Sequence, residues 1–331
     1  MKKSSLISMV LVAAMTLGGF ACGSKAANAE KSDADSTVAE VDSVPVVYYI
    51  KDITPENIVK IYNALGRKAE GKVGIKISTG ESEKSNHLDT ALINDLVRLV
   101  NGTFIECNTA YNGNRMDTEK HRKAAEEHGF VGVDIMDADG TIDLPVEGRH
   151  LTKDIVGKDF ANYDFIVVLS HFKGHAMGGF GGALKNISIG IASSEGKTYI
   201  HTAGKTDKPE ELWANLPEQD AFLESMADAA KAVINHTGDH ILYINVANKL
   251  SVDCDCDGNP HAPEMGDLGI LASLDPVALD RACVDMVFNS DDPGKSALIE
   301  RINSRNGTHI LDAAEELGIG KQQYKLVTIT E

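Results

Sequence analysis

The sequence predicts an α/β protein with a mostly parallel sheet flanked by helices, in three layers. Three observations predict this fold class. β-rich runs alternate with capped, amphipathic segments between residues 46 and 329. The run at 165–169 is apolar throughout, which is typical of a strand covered on both faces. The chain has 331 residues, 43% of them hydrophobic, so it can bury the core of one large domain.

In the first half of the chain, the predicted strands are β-branched or apolar runs, at 46–50, 72–77, 103–107 and 131–136. Helices are predicted between them. The first begins where Thr54 supplies an N-cap, Pro55 fits the first helical position and Glu56 places an acid in the first turn. Two more are predicted over 89–100 and 117–128.

In the second half, the strand at 165–169 is followed by a helix over 221–236 whose apolar side chains form one stripe. The remaining predicted elements are a strand at 241–246, a helix capped by Asp275-Pro276, and a final strand at 324–329. Residues 202–218 lack periodicity and predict a lid or an interface loop. Asp280 falls on the polar face of its helix, so we expect it to be solvated.

The N-terminus predicts export. Lys2 and Lys3 precede an apolar stretch at 6–17, which fits a signal peptide over residues 1–21. Cys22 follows small residues as in a lipobox, so we expect it to be lipidated; cleavage after Ala29 is the alternative. Residues 22–43 predict a flexible tether and residues 44–331 a single α/β domain. We therefore expect a cell-envelope lipoprotein, periplasmic or surface facing, that touches the membrane only through its lipid.

The charge balance narrows the possible partners. The chain has 32 Lys and Arg against 49 Asp and Glu, a net charge of -17, and only 5% aromatic residues. This acidity disfavours a general affinity for nucleic acid or anionic lipid, and few aromatics disfavour a base-stacking surface. We predict no nucleic-acid partner, while a local basic pocket for a small anionic molecule stays compatible with the composition.

Residues 170–186 combine five Gly, two His and two Lys directly after the apolar strand. Ligands of parallel sheets bind beyond the carboxyl ends of strands, and glycine lets backbone N–H groups approach an anion. The segment is neither a Walker A loop nor a GxGxxG fingerprint. A flexible linker or a close helix–strand crossing is the alternative. The predicted ligand-binding residues are Gly174, Gly178, Gly179, Gly181, Gly182, Lys185 and Asn186.

His171, His175 and Lys173 are the candidate catalytic residues of this segment. The two histidines are four residues apart, but Gly174 separates them and the segment lacks an HExxH glutamate, so a helical zinc pair is disfavoured. We expect the local structure to be a loop. Hydrogen-bonded structural roles are the alternative for both rings.

Residues 253–264 are open to several interpretations. They satisfy the calcium-loop pattern D-x-D-x-D-G-x5-E, but the flanking strand and two prolines oppose an EF-hand, so calcium would bind in another way. Cys254 and Cys256, with His175, suit zinc or iron. A disulfide or redox pair is a further interpretation, and an acidic turn with incidental thiols is the last. No iron–sulfur spacing is present, and Cys107 and Cys283 fit buried structural positions.

Three blocks resemble domain-of-unknown-function family 362. They are residues 170–190, Cys254-Asp255-Cys256, and residues 269–280, and Val73–Lys76 resembles the first strand of that family. The resemblance implies an α/β fold without a settled reaction. Some relatives carry an added ferredoxin domain, which implies a redox context for the group, but this sequence shows no such domain.

The sequence therefore supports three hypotheses. The first is a metal-dependent enzyme, in which Cys254 and Cys256 hold the metal together with His175 or His171. Lys173 and Lys185 would then bind a small anionic substrate. His201 is a further ligand or proton carrier in this hypothesis. The second is a non-catalytic, anchored binding protein for an anionic ligand. The third is a thiol redox protein that uses the Cys-x-Cys pair.

Overall fold

The computed structural model describes residues 44–330, so the predicted signal peptide, Cys22 and the tether lie outside the described residues. The strands in the described part are β1 Val46–Ile50, β2 Val73–Lys76, β3 Gly102–Glu106, β4 Asp134–Ile135, β5 Thr141–Pro145, β6 Lys153–Gly157, β7 Phe165–His171, β8 Lys173–His175, β9 Gly179–Gly181, β10 Ile241–Ala247, β11 Gly269–Ser273 and β12 Lys325–Thr328. The helices are α1 Pro55–Ala64, α2 Thr90–Leu99, α3 Thr118–Glu127, α4 Ala183–Ile187, α5 Ser194–His201, α6 Gln219–Thr237, α7 Pro276–Asn289, α8 Lys295–Ser304 and α9 His309–Glu316.

Eight strands form one central sheet in the order β12-β1-β11-β10-β7-β2-β3-β4. All neighbouring pairs are parallel except those of β11, which runs antiparallel to both β1 and β10. Two hairpins, β5–β6 and β8–β9, lie outside this sheet. The predicted mostly parallel α/β architecture is confirmed.

Helices cover both faces of the sheet because its central strands are apolar on both sides. Along β7, Val167 and Leu169 join the core formed with α1 to α3, whereas Ile166 and Val168 join the core formed with α4 to α9. The arrangement is therefore three-layered, as predicted. Within residues 44–330, no helix combines the length and the hydrophobicity needed to cross a membrane.

Three predicted segments differ from the structure. The strand predicted at 131–136 is reduced to β4, because Gly132 has a positive φ of 72° and only Asp134 and Ile135 pair with β3. The segment at 170–186, expected to be a loop, instead contains the end of β7, the β8–β9 hairpin and the start of α4. Residues 202–218 include a short 3-10 helix, Pro209–Ala214.

The expectation that Asp280 is solvated was wrong. Asp280 is fully buried and accepts hydrogen bonds from the backbone N–H groups of Ala183 (2.7 Å) and Leu184 (2.9 Å) and from Asn245 Nδ2 (2.7 Å). The first turn of α4 needs such an acceptor because its N-cap, Gly182, has no side chain to supply one. Burial raises the pKa of Asp280 to about 6, while its hydrogen bonds oppose the rise.

Candidate functional site

A cavity of about 690 Å³ lies beyond the carboxyl ends of the parallel strands. The strands β2, β3 and β7 end at this edge in Lys76, Glu106 and His171, which all line the cavity. Residues of the glycine-rich segment and of the 253–258 loop line it as well. The fold thus brings the glycine-rich segment and the 253–258 loop to one site. Ligands of parallel sheets bind at this edge, beyond the carboxyl ends of the strands. Cavities of this size commonly hold small ligands.

Asp255 is the central carboxylate of a buried ion cluster. Its Oδ1 is 2.8 Å from His171 Nδ1, and its Oδ2 accepts a hydrogen bond from Lys173 Nζ at 2.7 Å. Lys173 also donates to the His171 carbonyl at 2.8 Å. Burial alone would raise the pKa of Asp255, but the neighbouring charges of Lys173 and His171 hold it well below its ordinary range. This cluster joins the 253–258 loop to the end of β7.

Both ring nitrogens of His171 face acceptors. Nδ1 contacts Asp255, and Nε2 lies 2.6 Å from the Asn248 carbonyl oxygen. Lys173 is likewise occupied by the ion cluster. The geometry therefore gives His171 and Lys173 positioning contacts to the loop, and neither ring nitrogen of His171 is free for a metal or a substrate.

Asp253, which directly precedes Cys254, also contacts cations of the protein. Asp253 accepts hydrogen bonds from Arg301 Nη1 at 2.9 Å and contacts His261 Nδ1 at 2.5 Å. Since Asp253 and Asp255 both bind protein cations, the loop does not present a calcium cage of the EF-hand type.

His175 is held in one tautomer by the glycine-rich segment. Its Nδ1 accepts hydrogen bonds from the backbone N–H groups of Met177 (3.2 Å) and Gly178 (2.8 Å). The neutral ring therefore carries its proton on Nε2, which lies 3.9 Å from Cys256 Sγ. Burial lowers the pKa of His175 well below its ordinary value, and the charge of Lys185 lowers it further.

Cys254 and Cys256 are joined by a disulfide bond. Their sulfurs and a ring nitrogen of His175 all lie within 4.8 Å of one another, so the described residues contain a possible metal-binding group. A ligating imidazole usually donates its other N–H to an acceptor. His175 has the opposite arrangement, because its Nδ1 accepts two hydrogen bonds. Metal binding would thus require both reduction of the disulfide and a change of these ring contacts.

Lys185 is the cation of the cavity with the least protein contact. Its Nζ forms no hydrogen bond or ion pair with any residue in 44–330, although the side chain is largely buried and lines the cavity. Burial lowers the pKa of Lys185, and the charge of Lys173 adds to this effect, bringing the pKa to about 7. An amine with this pKa exists in both protonation states near neutral pH.

Two further lysines that line the cavity are bound to backbone carbonyls. Lys76 Nζ donates to the Ile77 carbonyl at 2.5 Å and to Asn186 Oδ1 at 2.9 Å, while Lys197 Nζ donates to the Ala192 carbonyl at 2.5 Å. Burial lowers the pKa of Lys76 to about 8, and Glu106 opposes the shift. Asn186, predicted to bind ligand, therefore orients Lys76.

Arg115 is a residue that the sequence analysis missed. Its buried guanidinium bridges Glu81 Oε2 at 3.0 Å and Glu106 Oε1 at 2.9 Å, and all three residues line the cavity. His121 Nε2 contacts the other oxygen of Glu106 at 3.0 Å. Burial raises the pKa of Glu106, but Arg115 and His121 outweigh it and hold that pKa well below its ordinary value. No local motif indicates this network, because its members come from three separate segments.

His201 lines the same cavity in the other tautomer. Its Nδ1 donates to the Lys197 carbonyl at 2.6 Å, so Nε2 of the neutral ring is an acceptor. Burial lowers the pKa of His201 to about 4. The ring stacks on Phe222, which fixes its plane. Nearby, Trp213 is 61% exposed and borders the cavity within the predicted lid segment.

The glycines serve different purposes from one another. Gly181 and Gly182 line the cavity, whereas Gly178 supplies an N–H group to His175. Gly179 has a φ of 80° and packs against the backbone of Gly307, and Gly174 packs against the backbone of Val252. Part of the glycine content thus allows close backbone packing, which was the alternative interpretation of the segment.

Gly174→Ala tests this packing. A Cβ at position 174 would fall far inside van der Waals contact of the Val252 backbone. We expect the free energy of unfolding to fall by about 1–3 kcal/mol, as for other overpacked sites. In Gly178→Ala the new methyl would have no neighbour closer than 3.4 Å, so a change within about 0.5 kcal/mol is expected. Urea denaturation measures both, and equal effects would contradict the packing argument.

The sequence profile described as Domain of unknown function (DUF362) matches residues 73–285. The chain belongs to this family. The matched region contains the glycine-rich segment, the Cys254-Asp255-Cys256 block and most of α7, so the resemblance seen in the sequence is confirmed for this DUF362 chain. No curated protein is significantly similar to it in sequence.

Two solved structures are similar to this DUF362 chain over part of their length. The lactate racemase apoprotein from Thermoanaerobacterium thermosaccharolyticum is 19% identical with a TM-score of 0.37, over 61% of this chain and 50% of that one. A protein from Thermotoga maritima, solved in a structural genomics project, is 14% identical with a TM-score of 0.39, over 70% of this chain and 57% of that one. The DUF362 chain thus spans 50% of the length of the first protein and 57% of the second.

Proposed function

We propose that this domain is an enzyme that binds a small anionic substrate, a carboxylate or a phosphate, in the cavity at the sheet edge. The observation that carries the proposal is Lys185. Its amine lines the cavity without a hydrogen bond or ion pair among residues 44–330. Five cationic side chains line the cavity beside four carboxylates, inside a chain of net charge -17. An anion is therefore expected to bind beside Lys185 in the cavity rather than elsewhere on the acidic surface.

The two neutral imidazoles support an acid–base reaction. His175 presents an N–H donor at Nε2, and His201 presents an acceptor at Nε2. The Nε2 of His201 can take a proton from the substrate, and the N–H of His175 can donate a hydrogen bond to the atom on which negative charge develops, which suits general base catalysis. Lys185 would bind the anionic group of the substrate, and in its neutral form it could also accept a proton.

Sulfate binding tests the anion site, because the charge of sulfate is constant between pH 6 and pH 9. Lys185 carries its charge below its pKa of about 7 and loses it above. We expect sulfate affinity, measured by calorimetry, to fall as the pH rises from 6 to 8.5. Lys185→Gln should weaken binding at pH 6 by about tenfold or more, the effect of one charge-assisted hydrogen bond. It should also reduce the pH dependence, and Lys76, whose pKa is about 8, accounts for the remainder.

Lys205→Gln is the matched control, because Lys205 is an exposed lysine. It should bind sulfate like the parent. Equal affinity of the parent and Lys185→Gln at pH 6, or an affinity that rises with pH, would contradict the assignment of Lys185.

Turnover separates an enzyme from a non-catalytic binding protein. Small carboxylates and phosphate esters incubated with the protein in D₂O would be followed by NMR. An acid–base site is expected to exchange carbon-bound protons or convert a substrate, and His201→Gln should suppress this. Anion binding without exchange or conversion would favour the binding protein.

A metal-dependent form of the enzyme is the second candidate, favoured by the closeness of Cys254, Cys256 and His175. Two thiolates and one imidazole suit zinc or iron, with a fourth position left for substrate. The metal would supply Lewis-acid chemistry in that case. Metal content of the reduced protein, compared with a Cys254→Ala/Cys256→Ala variant, tests it.

We also propose that the domain acts outside the cytoplasm, tethered to the membrane through Cys22. The support is the basic start, the apolar stretch and the small residues before Cys22. The mass of the mature N-terminus tests this proposal: a lipid on Cys22 supports it, and an intact Met1 contradicts it.

A further inference from the structure

The two cysteines of the disulfide differ in their access to the cavity. Cys254 is 5% exposed, whereas Cys256 is only half-buried and lies closer to solvent. A thiol that enters the cavity would therefore reach Cys256 Sγ first. Attack on Cys256 makes Cys254 the departing sulfur.

A backbone N–H group contacts the sulfur of Cys254, on which negative charge develops as it departs. The backbone N–H of Cys256 donates to Cys254 Sγ at 3.2 Å. Such a donor stabilises a thiolate, and a thiolate that is stabilised leaves more readily. The loop that holds this contact is fixed by Asp255 through Lys173 and His171.

His175 provides the second stabilising group. The two backbone donors on its Nδ1 place the ring proton on Nε2, 3.9 Å from Cys256 Sγ. This tautomer suits hydrogen-bond donation to a sulfur that gains negative charge, and it disfavours metal ligation by the same nitrogen. The three residues are thus arranged for sulfur chemistry with the disulfide present.

We propose that Cys254 and Cys256 form a thiol–disulfide exchange centre for small anionic thiols that enter through the cavity. An external thiolate forms a bond to Cys256 Sγ, the bond between the two cysteine sulfurs breaks, and its electron pair leaves on Cys254. A second external thiolate then attacks the external sulfur of the mixed disulfide. It forms the external disulfide and releases Cys256 as a thiolate, which accepts a hydrogen bond from the Nε2–H of His175 and takes its proton from solvent. Two thiols are oxidised and one protein disulfide is reduced.

The preference for an anionic thiol rests on the proposed function, because it uses the same cation, Lys185. The sulfur chemistry itself does not depend on that proposal. Cys256, His175 and Lys185 all line one cavity, so a thiol with an anionic group can contact Lys185 while its sulfur reaches Cys256.

The probes are 2-mercaptoethanesulfonate and 2-mercaptoethanol, which differ mainly in the charge of one end. The full-length oxidised protein is mixed with each thiol at pH 7 without denaturant, and opening of the disulfide is followed by mass spectrometry. We expect the mixed disulfide on Cys256 and about tenfold faster opening by the sulfonate than by the neutral thiol. The ratio of rates should fall towards one in Lys185→Gln but not in Lys205→Gln.

Two variants test the assigned roles. In Cys254→Ser, treatment with the disulfide of 2-mercaptoethanesulfonate should form a mixed disulfide on Cys256 and release one thiol, and this mixed disulfide should persist because residue 254 has no thiol to displace it. In His175→Gln, exchange should slow by about tenfold, the effect of losing the hydrogen bond to the thiolate, while circular dichroism remains native. Cys107 and Cys283 are buried and should stay unmodified throughout.

Several results would overturn the exchange centre. These are opening of the disulfide only after denaturation, attachment of the thiol to Cys254, and stoichiometric zinc uptake by the reduced protein that requires His175. Native opening at equal rates with both thiols would support the sulfur chemistry and overturn only the anion preference. Sulfate binding by a folded protein whose disulfide does not open would support the anion site and overturn the exchange centre.

Discussion

Asp255→Asn should lower the free energy of unfolding by about 3–5 kcal/mol, because it leaves the buried Lys173 cation without its counter-charge. The carboxylate contacts Lys173 at 2.7 Å and His171 at 2.8 Å, and it is 1% exposed. Within residues 44–330, Lys173 has no second ion pair that would replace the lost carboxylate. Urea denaturation of the oxidised protein at pH 7 measures the effect.

The loss of stability in Asp255→Asn should depend on pH. Lys173 and His171 hold the folded-state pKa of Asp255 below its ordinary value of 3.8. Its stabilising contribution is therefore complete above that value and declines as acid protonates the folded carboxylate. The difference between parent and Asp255→Asn should thus shrink as the pH falls below about 4, and a difference that grows in acid would contradict the ion cluster.

Asp257→Asn is the matched control for this loop. Asp257 lies two residues further on and is exposed, so its change should stay within about 0.5 kcal/mol. A similar loss in both variants would indicate a general effect on the loop rather than the buried ion cluster.

Arg115→Met should have an effect of similar size, about 3–5 kcal/mol, because two buried carboxylates lose their shared partner. Glu81 and Glu106 are 7% and 4% exposed, and both contact the guanidinium at 3.0 Å or less. Methionine fills much of the space without supplying charge, so the loss reports electrostatics more than packing.

Thermal and urea denaturation at pH 7 measure the loss in Arg115→Met. Arg122→Met on the exposed face of α3 is the control and should be nearly neutral. A loss below about 1 kcal/mol for Arg115→Met would mean that the carboxylates take up protons or reach water, and the network would then not be an ionic one.

The fold was predictable where each element carries its own signal. The apolar runs at 165–169 and 241–246 became the central strands β7 and β10, which are buried along their whole length. Helix α5 was missed because its sequence carries no such signal. Its polar residues Lys197, Thr198 and His201 are themselves buried, so the helix shows no division between an apolar and a polar face.

The site was predictable only in part. The glycine-rich segment and the Cys-x-Cys loop were singled out by composition, and they meet at one cavity. The roles within them depend on partners from distant segments. No local pattern reveals that Asp255 is paired with Lys173, or that Arg115 and Lys76 complete the lining. Asp280 was misplaced because a polar residue on a helix suggests solvent until the turn that it caps is known.

The antiparallel direction of β11 determines which part of the chain can change in sequence without a change of fold. Ala247 and Gly269 are paired neighbours at the ends of β10 and β11, so residues 248–268 are the connection of an antiparallel hairpin. Such a connection can change in length and content while strand order and register persist. Cys254 and Cys256 therefore lie on a connection between strands, whereas Lys76 and Glu106 end strands of the central sheet. Within one lineage, sulfur chemistry could be gained or lost without a change of fold.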